Sequence, residues 1–279
     1  MGIDIHALNF LRYVSKKKAL GRVATIGRQS LMVPRAYVEF GGFCEQLLIK
    51  RFDAMFVDSY DYSDFEGATY VLDMNKPVVS EKEYDTLIDC GCIEHIYNVP
   101  QALTNISLLC ARGGQIVHVL PANNFCGHGF WQFSPELFFS LYSERNGYSE
   151  TEVFLADLTK ENDWFEVKQP NDGQRANVAS SSPLYVLCRT RKLSDFSHEN
   201  VQQSDYVYAW EHSAEVTRQP SRLVGAAKKL MRSNPLLYRS SLSVYERTKA
   251  ALGGIRNPTT LSNINHHLRK RDVSELLAS

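Results

Sequence analysis

Apolar residues in the first half of the chain fall into short runs, with a helix-like segment between the last two. Five of these runs are typical of strands and end in polar or turn residues: 22–27, 53–63, 68–75, 84–91 and 114–124. Between the last two runs, Val99, Leu103 and Ile106 recur at helical spacing, with Arg112 in the expected last turn. Gly113–Gly114 is expected to end that helix. Strands that alternate with helices favour a parallel sheet covered on both faces.

The pattern changes after residue 133. Residues 134–148 predict a helix with Ser134 as its cap and proline at its first position. Two further strand-like runs, 151–158 and 183–192, are separated by a polar stretch, 159–182, and not by a helix. The two runs therefore predict an antiparallel pair at one edge of the sheet.

The charge of the chain is unevenly distributed although its total is zero. Residues 218–279 hold 12 basic and 3 acidic side chains, a net charge of +9, so residues 1–217 carry −9. Within the basic part, residues 221–233 and 234–254 each predict an amphipathic helix. We therefore divide the chain into a first domain, residues 1–193, and a linker with a basic helical extension, residues 194–279.

Basic amphipathic helices contact anionic membranes or nucleic acid, pack on an acidic domain, or form a dimer arm. Residues 221–252 are thus candidates for peripheral membrane contact or for a homodimer, and the acidic first domain favours internal packing. No apolar run approaches the roughly 20 residues that span a bilayer. The first lysines follow the N-terminal apolar residues, which is the reverse of a secretory signal. The expected location is the cytoplasm.

The six cysteines are scattered and are interpreted as reduced thiols, because a chain of 279 residues needs no disulfide framework. A zinc site is an alternative for Cys90, Cys92, His95, Cys126 and His128. Structural zinc ligands usually come in two pairs separated by two to four residues, and C-x-C followed by a distant C-x-H departs from that spacing. Small buried residues beside a strand end are the favoured interpretation, so no metal is expected.

Residues 83–123, EYDTLIDCGCIEHIYNVPQALTNISLLCARGGQIVHVLPAN, place a Tyr-Asp pair before a strand, a Glu-His pair before a helix and Gly-Gly before the next strand. This stretch resembles the class I S-adenosylmethionine (SAM)-dependent methyltransferases, and the resemblance covers about residues 20–192. Upstream, DYSDFEGATYVLDMNKPV (61–78) is similar to the family's acidic ends of strands two and three. The resemblance implies a Rossmann-like doubly wound α/β sheet, mostly parallel with an antiparallel last strand, and SAM as the cofactor.

In an open α/β sheet, ligands bind at the carboxyl ends of the strands, where the strand order reverses. The resemblance assigns Gly27 to the methionine part of SAM, where a Cβ would collide with the cofactor. It assigns Asp61 to the ribose hydroxyl groups and Asp73 to the adenine amine. Asp58 and Asp64 are alternatives to Asp61, which we prefer because YDYS best matches the family's Asp followed by a small polar residue.

The end of the fourth strand and the loop after the first complete the expected cofactor site. Asp89, Cys90 and Gly91 are expected beside the sulfonium, whose positive charge a carboxylate and nearby carbonyls would favour. The loop after the first strand reads ATIGRQSLMVP and keeps one glycine of the family's G-x-G-x-G motif. Arg28 and Gln29 are therefore expected to replace backbone contacts with side-chain contacts, and this departure puts the affinity for SAM in question.

Residues 121–138, PANNFCGHGFWQFSPELF, are expected to cover the active site at the end of the fifth strand. Asn123 and Asn124 offer amide donors and acceptors to a substrate. Trp131 and Phe133 are expected to exclude water from the methyl group. The remaining aromatic residues of this segment are expected in the core, because they recur at helical spacing.

Transfer of a methyl group to a hydroxyl requires an in-line geometry and removal of a proton. His128 is the first candidate for the general base and His95 the second, since histidine titrates near neutral pH. The structural alternatives are a turn histidine for His128 and, for the Glu-His pair, a Glu94 that satisfies the first amides of the helix. His118 alternates within a strand and is expected to be buried.

Two functional hypotheses follow. The first is a SAM-dependent methyltransferase, with a hydroxyl of a small molecule or glycan as the acceptor. The second is a methyltransferase-like binding or scaffold protein that acts through its basic C-terminal helices. Nucleic acid is not the expected substrate, because the basic region lies outside the expected site.

Overall fold

A nine-stranded sheet is the centre of the computed structural model, which describes residues 2–170, 173–176, 178, 180, 182–198, 201–212, 240, 244 and 268–278. The strands are β1 (Gly2–Ile3), β2 (Arg22–Ile26), β3 (Ser30–Leu31), β4 (Phe56–Asp61), β5 (Tyr70–Val71), β6 (Tyr84–Asp89), β7 (Cys110–Asn123), β8 (Tyr148–Asp157), β9 (Asp163–Val167), β10 (Leu184–Lys192) and β11 (Leu268–Asp272). The α-helices are α1 (Ile5–Lys17), α2 (Pro34–Phe40), α3 (Cys44–Phe52), α4 (Val99–Leu109), α5 (Pro135–Leu141), α6 (Ser204–Glu211) and α7 (Val273–Ala278). Two short 3-10 turns span Ile93–His95 and Glu144–Asn146.

The main sheet has the order β11-β9-β8-β10-β7-β6-β2-β4-β5, and β1 pairs with β3 in a separate two-stranded sheet. The five strands from β7 to β5 are parallel. From β2 the chain continues outwards to β4 and β5, and it then returns to β6 and β7 on the other side of β2. The strand order therefore reverses between β2 and β6, as in doubly wound α/β folds. This confirms the predicted fold class.

Apolar side chains cover both faces of this sheet because the central strands are buried on both sides. Leu87 belongs to the face covered by α4 and α5, and its neighbour Ile88 belongs to the face covered by α1 and α3. Phe138 of α5 is buried in the first layer and Phe10 of α1 in the second. Because successive apolar side chains of a strand point to opposite faces, helices pack on both faces of the sheet. The carboxyl ends of the strands then remain open to a ligand.

The antiparallel part of the sheet is larger than the sequence predicted. The runs around 151–158 and 183–192 do pair antiparallel, as β8 and β10, but β10 lies between β7 and β8. The expected edge position is therefore wrong. The polar stretch 159–182 supplies β9, in which Trp164 and Phe165 are buried, and β9 pairs with β11 near the end of the chain.

The boundary between α4 and β7 also differs from the prediction. The helix ends at Leu109, so Arg112 lies in a strand and not in a last helical turn. Tyr84 of β6 faces Cys110, whereas Thr86 faces Gln115, and this register shift accommodates the additional residues of β7 as a bulge. Gly113 takes a φ of +76° there, a left-handed conformation that glycine adopts without strain.

The C-terminal part of the chain returns to the first domain. Of the predicted extension, the described residues form α6, β11 and α7, and β11 joins the main sheet through β9. The predicted basic helices of 221–252 lie outside the described residues, except Ser240 and Val244. The division of the chain at residue 193 stays a prediction. Among the residues described, no helix has the length and apolar character that crossing a membrane requires.

Candidate functional site

The ends of β2 and β4 meet beside the position where the strand order reverses. The backbone N–H of Gly27, just after β2, donates to the carbonyl oxygen of Tyr60 at 2.7 Å. Asp61 ends β4, and its Oδ2 accepts the backbone N–H of Arg28 at 3.0 Å, while its Oδ1 accepts that of Tyr62 at 2.7 Å. The predicted cofactor residues Gly27 and Asp61 are therefore neighbours at the carboxyl edge of the sheet.

The end of β6 closes the same crevice from the other side of β2. Gly27 has a φ of +74°, and a Cβ at this position would lie 3.2 Å from the Sγ of Cys92. The backbone N–H of Cys92 donates to Asp89 Oδ1 at 3.0 Å, which fixes the turn that contains Cys90 and Gly91. Three strand ends thus converge on one crevice, with little spare volume between Gly27 and Cys92.

The acidic alternatives to Asp61 have other environments. Asp58 lies within β4, where its carboxylate accepts from Tyr84 at 2.8 Å and pairs with Lys82. Asp64 is exposed in the following turn. Asp73 lies two residues after β5 and accepts hydrogen bonds from the backbone and side chain of Asn75, which lower the pKa of its carboxyl group.

Arg28 and Gln29 contact other parts of the protein, and Gln29 Nε2 lies 3.3 Å from the position that a Cβ of Gly27 would take. Their contacts with a cofactor stay a prediction. The guanidinium of Arg28 pairs with Glu45 at 2.8 Å and lies over the ring of Phe43, 4.1 Å from its centroid. Gln29 is buried, and its Nε2 donates to the carbonyl oxygen of Ile26 at 2.6 Å. The Arg28 side chain therefore contacts α3, where Glu45 supplies a carboxylate, and the Gln29 amide contacts the backbone of β2.

Asp89 belongs to a buried network that the sequence analysis missed. His118 of β7 lies opposite Asp89 in the parallel ladder, and its Nδ1 contacts Asp89 Oδ2 at 3.0 Å. The Nε2 of His118 contacts the hydroxyl of Tyr142 at 2.7 Å. All three side chains are buried, and both oxygens of Asp89 are occupied within the protein. Its place beside the sulfonium stays a prediction.

Some residues of the loop after β7 are held by hydrogen bonds or packed in the core, and others are exposed. Asn124 has a φ of +61°, and its side-chain amide donates to the carbonyl oxygens of Ser180 and Ser182. Asn123 is half-buried at the end of β7. Phe133 is 5% exposed and packs in the core against Phe138, so its predicted role as a substrate wall is wrong.

Trp131 lies partly exposed in the loop after β7, and its role as a substrate wall stays a prediction. Its side chain is 41% exposed, and its Nε1 donates to the carbonyl oxygen of Ile96 at 3.0 Å. Phe130 and Trp131 also donate their backbone N–H groups to the carbonyl oxygen of Glu94. The loop is therefore hydrogen-bonded to the turn that follows β6, and it brings His128 to the predicted second histidine, His95.

His128, His95 and Glu94 form one cluster at this junction. Glu94 Oε1 lies 3.6 Å from His95 Nε2 and 3.5 Å from His128 Nε2. The two imidazole rings are 4.8 Å apart between centroids, in an edge-to-face arrangement. Both candidate bases predicted from the sequence thus flank the same carboxylate, which the sequence analysis assigned to the helix cap. Asn98 provides that cap instead, through the N–H of Gln101.

The carboxylate of Glu94 has an unusual electrostatic environment. Its side chain is 0% exposed, and neither oxygen accepts a hydrogen bond from any part of the chain that the structure describes. Burial, with a smaller contribution from the charge of Asp89, raises its pKa to about 8. Burial and the neighbouring His128 lower the pKa of His95, which keeps that imidazole neutral at neutral pH. The cluster can therefore accept a proton or coordinate a cation.

Cysteine is not part of this cluster. Within the described residues, the group of potential metal ligands found is Glu94, His95 and His128, with ligand atoms within 4.8 Å of one another. Cys90 is buried, and burial raises the pKa of its thiol well above the ordinary value. Cys126 is exposed and accepts from the side chain of Gln132. Of the zinc ligands that the sequence suggested as an alternative, the two histidines lie together and the cysteines are not part of the group.

A cavity of about 580 Å³ lies elsewhere, between α5, β8 and α6. Its lining includes Phe139, Tyr148 and Tyr208. It contains none of the cofactor or catalytic residues predicted from the sequence. The strand-end crevice and the Glu94 cluster therefore define the candidate site by their chemistry and not by cavity volume.

Solved structures of methyltransferases are among those to which this chain is similar, at low sequence identity. No protein-family model matches the chain, and no curated protein matches it in sequence. The N-methyltransferase NodS from Bradyrhizobium japonicum WM9 is similar at a TM-score of 0.42 and 13% identity, over 67% of this chain and 94% of that one. The O-methyltransferase of the trans-AT PKS multienzyme of Brevibacillus brevis, solved with S-adenosyl-L-homocysteine, has a TM-score of 0.44 and 9% identity, over 72% and 76%. At such identities the likeness does not extend to residues or substrates.

Proposed function

We propose that this chain is a SAM-dependent methyltransferase that methylates a hydroxyl group of a small molecule or glycan. The observation that carries the proposal is the meeting of three strand ends at the reversal of strand order. Asp61 accepts the backbone N–H of Arg28, next to Gly27, and a Cβ at Gly27 would lie 3.2 Å from the Sγ of Cys92 in the Asp89–Cys92 turn. Ligands of doubly wound folds bind in that crevice.

The residues of the crevice fit an adenosyl group in most respects. Each oxygen of Asp61 accepts one backbone N–H, and a carboxylate oxygen has a second lone pair for a ribose hydroxyl. The glycine at position 27 presents backbone alone to the methionine part. A Cβ at position 27 would lie 3.2 Å from Cys92 Sγ, so a larger residue there would narrow the crevice.

The chemistry divides between the crevice and the histidine cluster. Bound SAM supplies an electrophilic methyl group on a sulfonium. The chain orients that group through Gly27 and Asp61 and lines the acceptor side with Trp131. His128 Nε2 and His95 Nε2 are placed to take the proton of an acceptor hydroxyl, since both lie beside the carboxylate of Glu94. An imidazole that is neutral at neutral pH suits this task.

Titration calorimetry with S-adenosyl-L-homocysteine tests the cofactor assignment. Asp61→Ala is expected to weaken binding by about 10- to 100-fold, because hydrogen bonds to a charged group contribute about 1.5–3 kcal/mol. Asp64→Ala is the matched control, an exposed aspartate three residues away, and it should bind like the wild type. Absence of heat with the wild-type chain at millimolar ligand contradicts the proposed function. Labelled SAM with hydroxyl-bearing sugars and small molecules then tests the acceptor class.

A further inference from the structure

The carboxyl group of Glu94 is buried without the hydrogen-bond partners that a buried polar group requires. Buried polar groups in proteins are hydrogen-bonded, paired or bound to metal ions, because an unsatisfied group costs free energy. Neither oxygen of Glu94 has a hydrogen-bond donor among the described residues, and neither does His128 Nε2. Three polar atoms with unused capacity thus point into one small space.

The spacing of these atoms fits a metal ion better than hydrogen bonds. The distances from Glu94 Oε1 to the two Nε2 atoms, 3.5 and 3.6 Å, exceed the usual range for a nitrogen–oxygen hydrogen bond. Two ligands of a tetrahedral metal, each about 2.1 Å from it, are about 3.4 Å apart. The two carboxylate–imidazole separations are therefore close to two edges of a coordination tetrahedron. The potential ligand atoms of the three side chains lie within 4.8 Å of one another, so metal binding draws the two imidazoles together.

The backbone around the cluster is built to hold this spacing. The loop residue Phe130 donates its N–H to the carbonyl oxygen of Glu94 at 2.7 Å. Gly129 has a φ of +67°, and a Cβ there would lie 2.8 Å from that carbonyl oxygen and 2.9 Å from the Cγ of Glu94. The loop thus packs directly on the turn after β6, and His128 faces Glu94 from a fixed backbone.

We propose that Glu94, His95 and His128 form a binding site for a divalent first-row transition metal ion, with Zn²⁺ as the first choice. Two imidazoles and one carboxylate are the ligands of catalytic zinc sites that keep an open coordination position. Mg²⁺ prefers an octahedron of oxygen ligands and is disfavoured by two nitrogens. The proposed ligands are two imidazoles and one carboxylate, and no cysteine is among them.

The role of the ion rests on the proposed methyl transfer. A hydroxyl group that fills the open position has a lowered pKa, so its proton leaves to solvent water and needs no protein base. The electron pair of the hydroxyl oxygen forms the new oxygen–carbon bond, and the carbon–sulfur bond breaks with its electrons on sulfur. His95 and His128 then act as ligands instead of bases, and the acceptor class narrows to hydroxyl groups that reach the metal.

The test uses the full-length protein after treatment with a chelator. Addition of Co²⁺ should produce the visible absorption of a four-coordinate cobalt site, and Zn²⁺ should remove it by competition. Mg²⁺ at the same concentration should not. Glu94→Gln and His128→Asn should weaken Zn²⁺ binding in calorimetry by about 100-fold or more, since each removes one of three ligands. Far-UV circular dichroism and a melting curve verify that each variant is folded.

Two controls change potential metal ligands that are not part of the cluster. Cys126→Ser changes a potential thiolate in the same loop, and His212→Asn removes an imidazole outside the cluster. Both should bind Zn²⁺ like the wild type. The proposal is overturned if the wild-type chain binds no Co²⁺ or Zn²⁺ at millimolar concentration, or if folded Glu94→Gln binds as tightly as the wild type. Loss of binding in Cys126→Ser, or displacement of Co²⁺ by equimolar Mg²⁺, overturns the ligand set or the metal class.

Binding of S-adenosyl-L-homocysteine separates this proposal from the proposed function. If S-adenosyl-L-homocysteine binds and Co²⁺ and Zn²⁺ do not, the proposal of a metal site is refuted and the proposed methyltransferase function stands. If the metals bind as expected and S-adenosyl-L-homocysteine gives no heat, the metal site stands and the proposed methyl transfer is refuted. Each measurement uses the same purified chain and needs no acceptor.

Discussion

Two polar clusters at the carboxyl ends of β6 and β7 differ in how their side chains are satisfied. Asp89, His118 and Tyr142 are buried and linked by contacts of 2.7 and 3.0 Å. Glu94 and His128, a few residues further along the chain, are 3.5 Å apart, which is too far for a good hydrogen bond. One cluster is complete by itself, whereas the other has donor and acceptor capacity left over.

The difference separates a structural network from a binding site. Satisfied buried groups stabilise a unique arrangement of strands, and the Asp89 network ties β6 to β7 and to the segment after α5. Unsatisfied buried polar groups lower the stability of the fold, and a bound ligand that satisfies them offsets this loss. Perturbed carboxylates in such surroundings mark functional sites, although structural networks also perturb pKa values.

The largest expected effect is the loss of the complete network. Asp89→Ala removes the acceptor of His118 and of the Cys92 N–H, and we expect it to lower the free energy of unfolding by about 3–5 kcal/mol. Urea unfolding monitored by circular dichroism measures the change. Asp73→Ala is the control, because this strand-end aspartate lies near the surface and should cause a far smaller loss. A change below about 1 kcal/mol in Asp89→Ala would show that the network is not structural.

The incomplete cluster should respond in the opposite direction. In metal-free protein, Glu94→Gln replaces a buried carboxylate by a neutral amide of the same shape, and we expect a gain of about 1–3 kcal/mol in the free energy of unfolding. Urea unfolding in the presence of a chelator measures it. With Zn²⁺ at 100 times its Kd, the wild type should gain about 2.7 kcal/mol and the variant much less. If metal-free Glu94→Gln is less stable than the metal-free wild type, Glu94 has a structural role like that of Asp89.

A smaller effect is expected at the crevice. Gly27→Ala forces a non-glycine residue to a φ of +74° and brings its Cβ to 3.2 Å from Cys92 Sγ, which together should cost about 1–2 kcal/mol. Gly113→Ala has a similar φ of +76° with open space around its Cβ, so it isolates the conformational part. Calorimetry with S-adenosyl-L-homocysteine should show weaker binding for Gly27→Ala alone. Equal binding by both variants would remove Gly27 from the cofactor site.

The sequence predicted the parts of the fold that local patterns encode. β2, β6 and α4 follow from short apolar runs and from helical spacing, and the strand-end positions of Gly27 and Asp61 follow from those runs. The distance between Gly27 and Asp61 along the chain did not matter, because parallel strands bring their carboxyl ends to one edge.

The parts that the sequence did not predict depend on distant partners. β9 and β11 pair across about a hundred residues, and the charged run Leu268–Asp272 alone is typical of a surface tail. Its arginines and lysine are exposed or half-buried, because an edge strand leaves charged side chains in contact with solvent. Cys110 ends an apolar run that fits a helix and a strand equally well, so local pattern could not place the start of β7.

The sequence singled out the two histidines of the candidate site, but it did not predict their contact with Glu94. His95 and His128 stood out by their residue type and loop position, but Glu94 was interpreted as a helix cap. Its place between the two histidines depends on the loop after β7 packing on the turn after β6, a contact between residues more than 30 positions apart. Asn98, four residues further on, was the available signal, since a competent cap at that position makes a second one at Glu94 unnecessary.

The smallest expected effect tests the same contrast at the amino end of the sheet. Asp85 near the start of β6 accepts three hydrogen bonds from Arg22 of β2, at 2.9, 3.0 and 3.0 Å, which lower the pKa of its carboxyl group. This pair is satisfied like the Asp89 network, but both side chains are partly in solvent, so Asp85→Asn should cost only about 1 kcal/mol at neutral pH.

The sign of its pH dependence follows from that lowered pKa. The folded state holds the ionised form more strongly than the unfolded chain does, so the contribution is complete above the ordinary value of 3.8. It disappears as the pH falls through the lower pKa of the folded protein. Unfolding measured from pH 7 down to the acid limit should therefore show wild type and Asp85→Asn converging at low pH. A difference that widens with acidification would mean that Asp85 is unfavourably charged, and satisfied hydrogen bonds would then fail to distinguish structural carboxylates from Glu94.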